Sequence, residues 1–129
     1  MKFQGLYTAI VTPFAGNRVD EEAFRMLVEA QIAAGVAGIV AVGTTGESPT
    51  LTVKEHLRVI ELAVESAAGR IQVIAGTGAN STAEAIHMTQ EAEKMGVDGT
   101  LQVCPYYNNL LRMESMPISR LLRTLPVCR

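Results

Sequence analysis

Gly38-Ile39-Val40-Ala41-Val42-Gly43-Thr44-Thr45-Gly46-Glu47-Ser48 is the stretch on which the reading of this chain turns. Its first half is a nearly continuous apolar run, as expected for a strand buried on both faces rather than one with a wet side. Its second half sets two glycines around two hydroxyls. Glycine lets the backbone come close to a ligand, and amides together with threonine hydroxyls suit a carboxylate. The same residues also make an ordinary tight turn whose threonines satisfy local backbone groups. On these residues alone both readings stand.

Outward from this stretch, apolar runs recur at residues 6–11, 71–75 and 99–104. Helical periods lie between them. Phe24, Leu27, Val28 and Ile32 share one helical face, and so do Leu57, Ile60 and Val64, with Glu61 and Glu65 turned outward. Asp20 precedes Glu21 and Glu22, which places negative charge on a first turn. Thr52-Val53-Lys54-Glu55 and Ser81-Thr82-Ala83-Glu84 both fit the capping box. Gly35, Gly69 and Gly96 follow the periodic stretches as stops. The order is β-α-β-α-β-α-β over the first hundred residues or so, which implies a parallel sheet with right-handed crossovers. An open doubly wound sheet and a (β/α)₈ barrel both fit that alternation. A barrel takes roughly 250 residues, so 129 residues supply about half of one.

Functional loops in such folds leave the carboxyl ends of the strands. Here those loops are Thr12-Pro13-Phe14, residues 43–48, Gly76-Thr77-Gly78-Ala79-Asn80, and Pro105-Tyr106-Tyr107-Asn108. Ser81 stands where a dinucleotide fingerprint needs its third glycine, and no P-loop pattern occurs, so a nucleotide fold is a poor reading. The chain is 48% apolar and 19% charged, which is globular composition. A net charge of −2 offers no basic surface for nucleic acid or an anionic membrane. No apolar run reaches the ~18 residues of a membrane span, and residues 1–7 lack the pattern of a signal peptide. Cys104 and Cys128 form neither a disulfide framework nor a zinc-spaced cluster. The expected compartment is the cytoplasm, with no metal and no cofactor.

Residues 38–48, with Glu55 downstream, resemble the signature of the dihydrodipicolinate synthase family. Residues 5–14 are similar to its first strand, and residues 75–85 and 105–108 to its third and fourth βα loops. The likeness runs in register from about residue 3 to 108 and favours the barrel. The expected fold is therefore a parallel (β/α)₈ TIM barrel represented by its first four βα units. Residues 1–108 make up that half, and residues 109–129 a tail that departs from the pattern.

The resemblance implies a lyase of lysine biosynthesis by the diaminopimelate pathway. It would condense pyruvate with L-aspartate 4-semialdehyde through a lysine Schiff base, in a homotetramer. Thr45 would bind the pyruvate carboxylate. Thr44 and Tyr107 would belong to a hydroxyl proton relay, with Tyr107 reaching across a subunit interface. An inhibitory L-lysine pocket would take Ser48, His56, Asn80, Glu84 and Tyr106; His56 alone reads as a solvated helix histidine. Thr8 and Pro13 would shape the barrel mouth, and Glu47 would accept backbone donors. The Schiff-base lysine of the family lies on its sixth strand, past residue 129, and Lys2, Lys54 and Lys94 occupy no comparable position. An inactive, truncated half that self-associates is therefore expected, with residues from about Asn109 read in a shifted frame. Two alternatives stand beside this: a non-catalytic fragment that associates with intact subunits, and a related pyruvate aldolase such as N-acetylneuraminate lyase.

Overall fold

The computed structural model describes residues 3–103. Tyr106, Tyr107 and the 109–129 tail lie outside the described residues. Strand β1 (Tyr7–Ala9) is followed by a small hairpin, β2 (Phe14–Ala15) and β3 (Arg18–Val19). Helix α1 (Glu21–Ala33), β4 (Gly38–Ala41), α2 (Val53–Ala67), β5 (Gln72–Gly76), α3 (Thr82–Met95) and β6 (Gly99–Leu101) then alternate. β1, β4, β5 and β6 pair in that order, all parallel, with Tyr7 opposite Gly38, Gly38 opposite Gln72 and Ile74 opposite Gly99. The βα order read from the apolar runs is the order of the sheet, with narrower strands.

The helices begin where local chemistry says they should. Asp20 accepts from the Ala23 amide at 3.0 Å. Thr52 and Glu55 satisfy each other's backbone donors in a complete capping box. At α3 only half of the expected box forms, Ser81 accepting from the Glu84 amide at 3.4 Å. Gly96 ends α3 at φ 85°, a conformation in which glycine has no Cβ penalty. Phe24 and Val28 of α1 and Val59, Ile60, Leu62 and Ala63 of α2 pack on Ile39, Ala41, Val73 and Ala75 from the outward face of the sheet. Each large apolar side chain so buried contributes about 1.5–3 kcal/mol. On the rim, Arg58 bridges Glu21 of α1 and Glu61 of its own helix. Such exposed pairs add at most about 1 kcal/mol each.

The other sheet face differs from the expectation of strands buried on both sides. Along β5, Gln72 and Ile74 are half-buried whereas Val73 and Ala75 are buried. Inward residues of a barrel are covered by strands from across its axis, and none of the described residues does that. The amino-terminal floor of this face is nonetheless built. Tyr7 lies across Gly38 to bond the Gln72 side chain, and a Cβ at position 38 would meet the Tyr7 ring. Phe3 lies over Gly99 and meets Tyr7 edge-on, with ring centroids 5.8 Å apart.

Candidate functional site

The site is assembled at the carboxyl ends of β4 and β5. Val42 leaves β4 at φ 53° while 1% exposed, a conformation that β-branched residues rarely adopt. Two glycines make room for it. A Cβ on Gly46 would come within 3.0 Å of the Val42 amide nitrogen and Cα, and one on Gly76 within 2.8 Å of its carbonyl carbon. After this turn the loop closes on itself. Gly46 N–H donates to Gly43 O at 3.0 Å, Glu47 N–H to Thr44 O at 3.2 Å and Ser48 N–H to Gly43 O at 3.4 Å. Thr12 in the first loop donates its hydroxyl to Gly46 O at 2.7 Å, tying the β1 and β4 loops together. A short 3-10 turn, Ser48–Thr50, leads into the α2 cap.

This geometry narrows the sequence reading. The amides of Gly46, Glu47 and Ser48 are committed inside the loop, while Thr44 and Thr45 are both exposed on it. Thr44 lines a cavity of about 270 Å³ together with Val42, Gly43, Ser48, Gly76 and Leu101.

His56 corrects an expectation. It is 3% exposed, not a solvated helix residue, because α2 turns it inward beneath the end of β5. Its Nε2 lies 2.6 Å from Gly76 O and its Nδ1 3.5 Å from Ser48 Oγ. A carbonyl only accepts, so Nε2 carries the proton and Nδ1 is left as the acceptor. Burial lowers its pKa from the ordinary histidine value, against smaller upward pulls from the Gly76 carbonyl and the Glu84 carboxylate. His56 is therefore neutral at pH 7. Of the expected lysine pocket, Ser48 and His56 face each other and Glu84, in the first turn of α3, acts on His56 through its charge. Asn80 is exposed on the loop before the Ser81 cap, and Tyr106 lies outside the described residues.

Other expectations shift as well. Thr8 does not shape the mouth; its hydroxyl bonds Gln31 of α1 at 2.8 Å on the helix side of the sheet. Pro13 closes the β2–β3 hairpin by accepting from the Asp20 amide at 2.9 Å. Glu47 accepts at its own backbone carbonyl, from the Thr50 amide and hydroxyl, each at 2.9 Å. A buried polar group was not legible in advance. Thr77 and Thr89 hydroxyls lie 2.9 Å apart, Thr89 bonds Ala85 O at 2.7 Å, and Gln102 Nε2 reaches both threonines. No spacing rule connects these positions. Among the described residues no cluster of three or more His, Cys, Asp or Glu is set to hold a metal, and no helix is long and apolar enough to cross a membrane.

Four parallel strands in sequential order with the helices outside correspond to the amino-terminal part of a (β/α)₈ barrel. The model of the Dihydrodipicolinate synthetase family matches residues 2–116, and the chain belongs to that family. It is 58% identical to the 4-hydroxy-tetrahydrodipicolinate synthase of Rhodopseudomonas palustris over 106 residues, 82% of this chain and 36% of that one. The chain thus spans little more than a third of the length of the curated relatives it matches. The dihydrodipicolinate synthase of Aquifex aeolicus superposes with a TM-score of 0.92 at 47% identity, covering 97% of this chain and 43% of that one. Two further solved relatives are each 42% identical to this chain. That of Acinetobacter baumannii, complexed with pyruvate, has a TM-score of 0.90 over 98% of this chain and 44% of its own. That of Cyanidioschyzon merolae, with lysine bound, has a TM-score of 0.85 over 91% of this chain and 40% of its own.

Proposed function

We propose that this chain carries the pyruvate-carboxylate side of a 4-hydroxy-tetrahydrodipicolinate synthase site and none of the amine chemistry. The observation that carries the reading is Thr44 on the wall of the cavity at the end of β4, with Thr45 exposed beside it. Threonine hydroxyls there would orient the carboxylate of pyruvate. Thr44 and Tyr107 would pass protons while a Schiff base forms and rearranges to an enamine, a step that needs a shuttle shielded from bulk water. The enamine would then attack L-aspartate 4-semialdehyde, in the pathway that leads to diaminopimelate and lysine. The lysine nucleophile comes from elsewhere in the barrel. Lys54 is exposed in the first turn of α2 and Lys94 pairs with Glu91 at 2.7 Å, and neither lines the cavity.

L-lysine is the second ligand of this reading, held by Ser48, His56, Asn80, Glu84 and Tyr106 as an inhibitor. An acid, an amide and hydroxyls suit a cationic amino acid, and the bound lysine of the Cyanidioschyzon relative supports the assignment. The assembly would be a cytoplasmic homotetramer of whole barrels. Titration of the chain with pyruvate, followed by the backbone amide resonances of Thr44 and Thr45, tests the carboxylate site. Saturable shifts, weakened about tenfold by Thr45→Val through loss of a charge-assisted bond, are expected. Shifts that Thr45→Val leaves unchanged would remove Thr45 from the role.

A further inference from the structure

A single side chain of α2, His56, bonds the Gly76 carbonyl next to Val42 at one end of the Thr44-Thr45 loop and lies 3.5 Å from Ser48 at the other. We propose that His56 is a positioning residue for this loop. Through the Gly76 carbonyl it braces Val42, where the loop begins, and through Ser48 it holds the residue where the loop ends. The proposal rests on the reading of the loop as the carboxylate site, and it assigns His56 a task beyond contact with L-lysine.

Gly76 is the last residue of β5, buried, and its Cα rests against the Val42 carbonyl so closely that no side chain fits between them. The Gly76 carbonyl is itself held by His56 Nε2–H. A buried carbonyl deprived of its donor must turn to find another. Turning that peptide moves the surface on which Val42 rests. Val42 stores strain at φ 53° and stays there only while its surroundings over-determine it. Released, it relaxes toward negative φ, and the turn from Gly43 to Ser48 opens with it. His56 is well placed for such a brace, since it lies in the first turn of α2, four residues after the Thr52 cap of the complete Thr52–Glu55 capping box.

The test compares His56→Gln, His56→Asn and His56→Leu with the native 129-residue chain by amide hydrogen exchange. The loop is read at Gly46, Glu47 and Ser48, whose N–H groups close it, and helix α1 (Glu21–Ala33) serves as the reference. A glutamine amide nitrogen reaches the position of Nε2, whereas the shorter asparagine does not. Loss of the brace is expected to speed exchange at the three loop amides by about tenfold or more in His56→Asn and His56→Leu, with α1 unchanged. His56→Gln is expected to stay within about threefold of native. The proposal is overturned if the loop amides exchange at the native rate in His56→Asn and His56→Leu. It is equally overturned if loop and α1 accelerate together in every variant, glutamine included, which is what a general packing role would produce. The comparison needs no pyruvate. A native chain that fails to bind pyruvate therefore counts against the carboxylate site, while the exchange data still decide the brace.

Discussion

Replacing Gly76 by alanine puts one methyl group where the structure has no room and no soft neighbour. The new Cβ would stand 2.8 Å from the Val42 carbonyl carbon and 3.0 Å from Gly43 Cα, closer still to the Val42 carbonyl oxygen. All three are backbone atoms, so relief requires β4 and β5 to separate locally or Val42 to change conformation. Overpacking that displaces backbone costs about 3 kcal/mol, at the upper end of the usual range. With a urea dependence near 1.5 kcal/mol per molar, the midpoint of loss of helical circular dichroism falls by about 2 M. Gly69→Ala is the matched control. Gly69 sits at φ 71° with nothing within 4 Å of the added methyl. It therefore carries only the left-handed strain of about 1 kcal/mol, a midpoint shift of roughly 0.7 M. Both variants and the native chain are compared at one concentration. A Gly76→Ala shift no larger than that of Gly69→Ala would refute the claim that Val42 and Gly76 form a rigid contact.

Other consequences can be checked alongside. Thr89→Val removes the hydroxyl that joins Thr77 and Gln102 to Ala85 O, leaves buried donors unpaired, and is expected to cost about 1–3 kcal/mol in the same urea assay; a neutral result would mean that the network is wet or loose. Because burial lowers the pKa of His56, the unfolded chain takes up this proton first as pH falls. Stability from that residue is thus intact above pH 6.5 and is lost as pH drops toward the lower folded-state value. The urea midpoint should decline below pH 6.5, and His56→Gln should flatten that decline; identical pH profiles would show that His56 does not titrate in this window. Leu6 is 65% and Leu101 47% exposed, at opposite edges of the sheet, with Val11 also uncovered. Among the described residues the β1 and β6 edges are unpaired, and edges and apolar surface of this kind favour association, so sedimentation should show self-associated species; a chain that sediments as a monomer would contradict that.

The parts of the fold legible in the sequence are those that local chemistry decides. Asp20 and Thr52 cap helices because a short oxygen-bearing side chain ahead of an apolar period has an amide to receive. Gly96 ends a helix because the left-handed position is open to it. The β2–β3 hairpin escaped notice although its signal was present: Gly16-Asn17 supplies the positive φ, 62° at Gly16, that a two-residue hairpin loop needs. In the candidate site, the tight turn from Gly43 to Ser48 was legible because glycines flank its two threonines. The burial of His56 was not, since a histidine on a charged helix gives no sign of which way it turns until α2 is laid on β5. The strain at Val42 depends on two glycines, Gly46 and Gly76, one of which lies on another strand. The Thr77–Thr89–Gln102 group likewise exists only after β5, α3 and the end of β6 have come together.

The most direct test of the central claim is incubation of the purified chain with pyruvate and borohydride, read by intact mass. The account predicts no adduct, because neither lysine among the described residues, Lys54 nor Lys94, lines the cavity at the end of β4. A stoichiometric pyruvate adduct would show that Lys2, Lys54 or Lys94 acts as the Schiff-base nucleophile, and would contradict the division of labour argued from β4 and its loop.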